Sequence, residues 1–270
     1  MNETDFTVWS TMQTVIGRLN QLLSHTDYHQ TYRAFVRGIY ANIGSKVGWE
    51  VRNGESHQET LLRTLVLGQL GYYGEPSVVE ESRKRLQAHI SGTAVLPADL
   101  RAPVYKTVVM SGDEKTYNQM IKLYRETDHK EEKDRIIRCV GVTHDPKLIQ
   151  QVLQFAMSDE VRNQDTVFAI AAVTMSAPGR NAAWAFFRKH HEEFVKRYEG
   201  GYLLITLVKY LTCHFVSEEM AEEIQTFFKE HSFPSTERTI QQSLETIRLN
   251  SSWLARDSAE IKNFLVEETS

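Results

Sequence analysis

Apolar residues recur at three- and four-residue spacing along almost the whole chain, and this periodicity limits the folds open to it. Such spacing places apolar side chains on one face of an α-helix. The alternation of apolar and polar residues between tight turns that β-strands need is missing. The pattern predicts a succession of amphipathic helices, and its clearest runs are Trp9, Met12, Val15, Ile16 and Leu19; Tyr32, Phe35, Val36, Ile39 and Ile43; and Leu148, Ile149, Val152, Leu153 and Ala156.

The breaks between these runs carry residues that begin helices. Ser77 predicts a capping box with the acidic residue three positions on, and Asp145 before Pro146 predicts an N-cap with proline at the first helical position. Ser217 predicts another cap, followed by acidic residues that favour the helix dipole. The stretch SAPGR at 176–180 predicts a loop between two helices.

The breaks also predict the architecture. They divide the 270 residues into about fourteen helices, and two helices per unit give a period of roughly 35–45 residues, as in HEAT- or TPR-like α-solenoids. The units share no sequence similarity, and no low-complexity linker divides the chain. We therefore predict an all-α superhelical array of antiparallel helix pairs that forms a single domain over residues 1–270. Such arrays bind extended partners on their concave face.

The charge balance argues against nucleic-acid binding. The net charge is −4 and the pI is near 6.2, whereas a nucleic-acid interface needs a basic stripe. The densest basic cluster is RKRL at 83–86, and the preceding Glu80 and Glu81 offset it. This segment is typical of a solvated helix face.

The sequence also disfavours membrane attachment and secretion. No window approaches about 18 uninterrupted apolar residues, and the first residues lack the basic and apolar regions of a signal peptide. Cys139 and Cys213 are the only cysteines, and both lie in apolar runs. Two such thiols favour a reducing compartment and buried free cysteines, while a disulfide between them stays open.

Two pairs of histidines raise the question of a metal site. His25 and His29 have the spacing of H-E-x-x-H, in which glutamate beside the first histidine is the general base of zinc proteases. Thr26 occupies that position and cannot replace a carboxylate, and no third ligand is marked. Partly exposed helix residues are the better interpretation. His190 and His191 point about 100° apart on a helix, so they form a poor chelate and indicate an exposed polar face.

Two segments carry candidate binding residues. Arg162, Gln164 and Asp165 cluster at a helix start before an apolar run. Asp165 can act through the helix dipole alone, whereas the fork of Arg162, with Gln164, suits a ligand backbone or carboxylate in the concave cavity. Further on, Tyr202 and Thr206 follow a pair of glycines and fall on one helix face. Core packing and cavity lining are both open for this second pair.

Several stretches of the chain, taken in order, resemble one known family. They include EEKDRIIRCVG, EVRNQDTV, GRNAAWAFFRKHHEEF, RYEGGYL and STERTIQQSLETIRLNSSWLARD. Over about residues 2–266 the chain resembles the C-terminal helical domain of the gluzincin-class zinc aminopeptidases, most closely that of the cytosolic puromycin-sensitive branch. The resemblance implies a HEAT-like domain that closes over the active site and holds the C-terminal part of a peptide. The parent reaction it implies is zinc-dependent removal of N-terminal residues from peptides.

The chain departs from that family in lacking its H-E-x-x-H motif, the downstream glutamate and the G-A-M-E-N loop. The resemblance therefore implies no catalytic residue, metal or cofactor here, and zinc in a catalytic domain outside this chain. The partners it implies are that domain and a peptide, without nucleic acid or membrane, in the cytoplasm. The cavity-lining residues it implies are Arg162, Gln164, Asp165, Arg197, Tyr202 and Thr206. Two alternatives stay open: a stand-alone helical scaffold for a protein partner, and a metallohydrolase built on His25 and His29.

Overall fold

The computed structural model describes residues 3–198 and 200–269, and within them it contains helices and no strand. The predicted all-α class is confirmed, with thirteen α-helices and one 3-10 turn where about fourteen helices were predicted. None of the described helices is long and apolar enough to cross a membrane. The helices are α1 (Phe6–Leu23), α2 (His29–Val47), α3 (His57–Tyr72), α4 (Pro76–Ile90), α5 (Ala98–Met110), α6 (Glu114–Glu126), α7 (Lys130–Val140), α8 (Pro146–Met157), α9 (Asn163–Val173), α10 (Ala177–Tyr198), α11 (Tyr202–Thr212), α12 (Glu218–Glu230) and α13 (Glu237–Thr269), with the 3-10 turn at Pro234–Thr236.

Side-chain caps begin several of these helices. Asp145 caps α8 by accepting two backbone N–H groups and Ser217 caps α12 by accepting one, so both predictions are confirmed. The prediction for Ser77 is wrong, because α4 begins one residue earlier at Pro76 and Glu75 is its N-cap. The fixed φ of proline suits the first helical position, and this preference decides where the helix begins.

The described residues form two compact units, and α1–α7 make up most of the first, which comprises 3–140 and 265–269. Within it, α3 packs against α2 and α5, and α5 also packs against α4 and α7. Its core consists of fully buried large side chains, among them Trp9, Tyr40, Leu86, Tyr105 and Met120. Helices close in sequence therefore share a common core, as the helix-pair prediction requires.

The second unit comprises 141–264 and holds the segments singled out for binding. In it, α8 packs against α9, α9 against α11, and α10 against both α8 and α11. Aromatic rings join α10 to α12, with the Trp184 and Phe227 centroids 5.3 Å apart and the Phe187 and Phe228 centroids 6.3 Å apart. The prediction of a single domain over residues 1–270 stays a prediction.

Arginines of neighbouring helices close the C-terminal ends of five helices. The last carbonyls of a helix lack intrahelical partners and carry partial negative charge, so a guanidinium both satisfies them and opposes that charge. The donor and acceptor pairs are Arg33 to Tyr72 O, Arg63 to Val47 O, Arg83 to Ser111 O, Arg180 to Thr174 O and Arg197 to Met157 O.

The two cysteines do not pair with each other. Cys139 is buried, Cys213 is half-buried, and both are free thiols, so the disulfide left open by the sequence is absent. Burial raises the pKa of the Cys139 thiol to about 12, and it also raises that of Cys213. Both groups are therefore held as neutral thiols at physiological pH, where they pack as small apolar side chains.

Candidate functional site

An ion pair between Arg162 and Asp165 forms the N-terminus of α9. Arg162 is the N-cap residue (φ −65°, ψ 142°), and its guanidinium turns back to Asp165 Oδ2, which lies 2.7 Å from Nε and 2.6 Å from Nη2. The Asp165 side chain is 10% exposed, whereas that of Arg162 is 43% exposed. The carboxylate is thus paired at the positive end of the helix dipole, while part of the arginine remains accessible to a ligand.

Arg197, in the last turn of α10, joins three helices at the same place. Its Nη2 donates to Met157 O at the end of α8 (3.0 Å) and to Glu193 Oε1 on its own helix (2.6 Å). Its Nη1 donates to Asn163 Oδ1 at the start of α9 (3.4 Å). The side chain is 20% exposed. Arg197 therefore holds helix ends together, at the same end of α9 as the Arg162 ion pair.

Tyr198 completes this arrangement, although the sequence did not single it out. Its hydroxyl donates to the carbonyl oxygen of Asn163 at 2.5 Å, and its side chain is buried. Burial raises the pKa of the phenol, which keeps the hydroxyl protonated and able to donate. The only signal in the sequence is its position between Arg197 and a pair of glycines. We call Arg162, Asn163, Asp165, Arg197 and Tyr198 the α9 cluster.

Tyr202 and Thr206 lie at the start of α11. The chain reaches them through Gly200, whose φ of 73° favours glycine, and Gly201, the N-cap residue. The Tyr202 ring is 67% exposed, so core packing is wrong for this residue. Thr206 Oγ1 donates to Tyr202 O at 3.0 Å, and Gln164 on α9 is exposed. The cavity-lining role of these three residues stays a prediction.

A groove of about 510 Å³ lies between α8 and α10, beside Arg197. Met157 and Glu193, which both accept hydrogen bonds from Arg197, line it. Its other principal lining residues are Gln150, Gln154, Phe186 and Lys189. This groove was not predicted from the sequence. The signal available was the pair of glutamines four residues apart on α8, which are exposed while the apolar face of that helix is buried.

The structure separates the two histidines whose spacing had suggested a shared helix face. His29 begins α2, but His25 lies in the turn after α1, because α1 ends at Leu23. His29 Nε2 lies 2.9 Å from Asn20 Oδ1. Across residues 3–198 and 200–269, no group of three or more His, Cys, Asp or Glu residues is placed to hold a metal ion.

The helix that contains the second pair of histidines, α10, is interrupted at His190. The backbone of His190 is non-helical (φ −115°, ψ 16°). Its ring packs against Phe186, with centroids 4.4 Å apart, while the His191 ring lies 4.3 Å from His231 and 5.5 Å from Phe227. Both side chains are half-buried. The prediction of an exposed polar face is therefore wrong for these rings, since both are half-buried and pack against other rings.

The α9 cluster is suited to recognising a carboxylate or a peptide group. The N-terminus of a helix and an accessible guanidinium both favour an anion. The charges of Arg162 and Arg197 are balanced by those of Asp165 and Glu193, so selectivity would depend on the direction of the donors rather than on net charge. The polar groups that the cluster brings together are guanidinium, amide, carboxylate and phenol groups, which can form hydrogen bonds to a ligand.

Comparisons with known proteins identify the family to which this helical chain belongs. Residues 1–249 match the ERAP1-like C-terminal domain. Aminopeptidase M1 of Arabidopsis thaliana is 31% identical over 259 residues, which cover 93% of this chain and 29% of that protein. Aminopeptidase M1-B of Oryza sativa subsp. japonica is 29% identical, with 94% and 30% covered, and the mitochondrial Aminopeptidase 2 of Saccharomyces cerevisiae is 25% identical, with 98% and 28% covered.

The chain thus spans less than a third of the length of these relatives, although they match almost all of it. The resemblance found in the sequence is confirmed at the level of the domain, while its puromycin-sensitive branch stays a prediction. With a family match over most of its length, the chain belongs to the ERAP1-like C-terminal domain family, as the C-terminal domain of an M1 aminopeptidase.

Proposed function

We propose that this chain is the non-catalytic C-terminal domain of a zinc aminopeptidase of the puromycin-sensitive type, and that residues 1–270 act in it as one domain. The parent enzyme would remove N-terminal residues from peptides. This domain would close the active-site cavity and hold the C-terminal part of the peptide. The observation that carries the proposal is that relatives named aminopeptidases match 93% to 98% of the chain, which covers only 28% to 30% of them.

The α9 cluster supports the role in holding a peptide tail. Every unmodified peptide ends in a carboxylate, and a guanidinium such as that of Arg162, whose side chain is 43% exposed, is the group best suited to bind one. The ion pair with Asp165 fixes the arginine side chain before a ligand arrives. A side chain that is already ordered loses less conformational entropy on binding. Arg197 is assigned to positioning, because its donors already hold three helix ends.

Three exposed or half-exposed residues would supply further contacts along the peptide. The exposed ring of Tyr202 can pack against a peptide side chain, and the amide of Gln164 can pair with a peptide group. Thr206 lies one turn after Tyr202 on α11 and would meet the same part of the ligand. The glutamines of the groove between α8 and α10 offer the same amide chemistry next to Arg197.

In this proposal the hydrolytic chemistry belongs to another part of the parent enzyme. Zinc held by the catalytic domain would activate the attacking water, and we assign to this chain no ligand of that ion and no cofactor of its own. The residues of this chain would bind the tail, orient it and exclude water from the cavity. Following the resemblance to the cytosolic branch, we also propose a cytoplasmic location without a nucleic-acid or membrane partner.

Complementation tests this proposal. The chain is mixed with a separately prepared catalytic portion of a puromycin-sensitive-type aminopeptidase, and release of N-terminal residues from a short peptide is followed. Each part alone serves as control. We expect turnover from the mixture only, and inhibition of that turnover by puromycin. Release of N-terminal residues by this chain alone, when free of other proteases, would overturn the proposal.

The other outcomes separate the competing assignments. Restored turnover that resists puromycin would keep the aminopeptidase domain and reject the puromycin-sensitive branch. A mixture that neither associates nor turns over peptide would reject the cavity-closing role. That result would favour a stand-alone helical scaffold that binds a protein partner.

A further inference from the structure

The rings of His191 and His231 lie together in the second compact unit, outside the α9 cluster. Their centroids are 4.3 Å apart and their planes are inclined at 53°. His191 follows the break in α10, and His231 is the C-cap residue of α12 (φ −122°, ψ 83°). Both side chains are half-buried, so solvent and small ions can reach them. Two imidazoles thus meet at the ends of two helical segments that fix their backbones.

The hydrogen bond of His191 prepares its second nitrogen to bind a cation. Nδ1 of His191 lies 2.8 Å from the carbonyl oxygen of Arg188. A carbonyl oxygen only accepts, so Nδ1 carries the proton and Nε2 of the neutral ring keeps a lone pair. Histidines that bind metals usually donate their other N–H in this way, which fixes the tautomer and the orientation of the ring.

The surroundings of the pair also suit a cation. Phe227 lies 4.7 Å from the His231 ring, and Phe233 lies 6.2 Å from the His191 ring. These apolar rings offer no competing hydrogen-bond donor or acceptor. The nearby positive charge of Arg188 is neutralised by Glu223, with Nη1 and Oε1 2.9 Å apart. Repulsion between that guanidinium and a bound cation is therefore reduced.

The ring separation is short enough for one cation to bind both rings. A metal ion about 2.0–2.1 Å from one nitrogen of each ring lies roughly 3 Å from each ring centre. Two such centres are then roughly 4.5 Å apart for ligands at a right angle and roughly 5 Å apart for a tetrahedral pair. The observed 4.3 Å is nearer to the right-angle value. Adjacent ligands at a right angle are typical of the tetragonal geometry of Cu²⁺ and Ni²⁺.

We propose that His191 and His231 form a two-histidine site for a late first-row divalent cation, with water in the remaining coordination positions. Cu²⁺ binds most tightly among these ions, because the general order of affinity peaks at copper. His190 takes no part, since its ring packs against Phe186 on the other side of the break in α10. The site is independent of the zinc that the parent enzyme would hold elsewhere.

Titration of the intact chain with Cu²⁺, Ni²⁺ and Zn²⁺, each alone, tests the site by calorimetry and, for Cu²⁺, by electron paramagnetic resonance. We expect one Cu²⁺ site with two nitrogen ligands that is lost in both His191→Gln and His231→Gln. The matched control His190→Gln should retain it. Cu²⁺ should bind more tightly than Ni²⁺ or Zn²⁺. Circular dichroism of the metal-free variants shows whether each is folded.

A second measurement needs no variant. Cu²⁺ is paramagnetic and broadens the proton resonances of its ligands first, so substoichiometric Cu²⁺ should remove the ring signals of His191 and His231 before those of His190. Broadening of other histidines first would overturn the proposal. So would Cu²⁺ binding that is unchanged in both folded glutamine variants, or that is lost to the same extent in His190→Gln.

Discussion

Glu132 on α7 illustrates, at the scale of single residues, how a buried charge is held in this chain. It accepts hydrogen bonds from the Tyr105 hydroxyl at 2.7 Å and from Arg101 at 3.0 Å, and it pairs with Arg135. Burial alone would raise the pKa of the carboxyl, but these donors outweigh it and hold the pKa below its usual value. Tyr105 and Arg101 come from α5, so periodicity within one helix could not reveal them.

The α9 cluster shows the same division between what the sequence could and could not predict. Arg162 and Asp165 are three residues apart at a helix start, a spacing at which side chains meet, so their proximity follows from local sequence. The contacts of Arg197 and Tyr198 with Asn163 span 34 and 35 residues and depend on how α10 packs against α9. Local patterns carry no information on that packing.

His214 makes the stability of the fold depend on pH. It lies in the turn after α11, and burial, with the charges of Arg180 and Lys209, lowers its pKa from 6.5 to about 4. Below about pH 6.5 the His214 imidazole binds a proton in the unfolded chain, whereas in the folded chain it binds one only near pH 4. The free energy of unfolding is therefore unaffected by His214 above about pH 6.5, and it falls by up to about 3 kcal/mol as the pH drops from about 6.5 to about 4.

The variant His214→Gln should remove this part of the pH dependence. Urea unfolding at several pH values between about 7 and about 4.5 gives the free energy of unfolding for the variant and for the unmodified chain. His57→Gln, at an exposed position, controls for replacing a histidine. If the free energy of unfolding falls equally steeply in His214→Gln and the unmodified chain, His214 is not responsible.

At the scale of elements, helix ends matter more to this fold than the sequence pattern suggests. Arg33 on α2 donates to Tyr72 O at the end of α3 at 2.6 Å, and its guanidinium lies 5.5 Å from the Tyr73 ring centroid. Arg33→Met would leave the carbonyl without this donor and remove the cation–π contact. We expect a loss of about 1–3 kcal/mol in the free energy of unfolding.

Arg18→Met provides the matched comparison in the same unit. Arg18 is exposed on α1, so its replacement should change the free energy of unfolding by no more than about 0.5 kcal/mol. Denaturant titration of both variants measures the difference between a capping and a solvated arginine. Equal effects would show that the hydrogen bond from Arg33 to the last carbonyl of α3 contributes little to the free energy of unfolding.

Alanine substitutions at two glycines distinguish the effect of close helix packing from that of helix propensity. A Cβ at Gly141 would lie 2.6 Å from Ala172 Cβ and 2.9 Å from Ala169 O, so the segment after α7 approaches the α9 backbone closely. A Cβ at Gly17, inside α1, would meet nothing within 4 Å. We expect Gly141→Ala to destabilise the chain by about 1–3 kcal/mol and Gly17→Ala to stabilise it by about 0.5–1 kcal/mol. Thermal unfolding of the two variants measures both signs, and a neutral Gly141→Ala would contradict the close approach.

Helix positions were predicted better than helix irregularities. The apolar stripes and the caps Asp145 and Ser217 are local features, and the structure retains them. The break at His190 was not predicted, and the rings that pack against the next residue, His191, come from α12 and from the segment after it, which local patterns do not reveal. Similarly, α10 begins at Ala177, inside the stretch predicted to be a loop.

At the scale of the whole molecule, the sequence predicted the class of fold but carried no mark of its two compact units. In a helical array each helix contacts mainly its neighbours, so a boundary between units requires no change of composition or linker. The units are divided after Val140, where the sequence continues without a low-complexity segment. Only the three-dimensional contacts reveal that division.

If this domain holds the tail of the peptide, substitutions on its surface should affect long substrates and spare short ones. Gln164→Ala and Tyr202→Ala change exposed side chains, so the fold should tolerate both. In the complemented enzyme we expect each to raise KM for a long peptide by about three- to tenfold with kcat unchanged, since the lost contacts are equal in ground and transition state.

Two controls accompany this measurement. KM for an aminoacyl anilide, which has no tail, should stay the same in both variants. Gln58→Ala, at an exposed position at the start of α3, should leave KM unchanged for both substrates. Equal changes for both substrates would place these residues outside the tail-binding surface, because an effect on the anilide can only arise from the catalytic centre or from the assembly of the two parts.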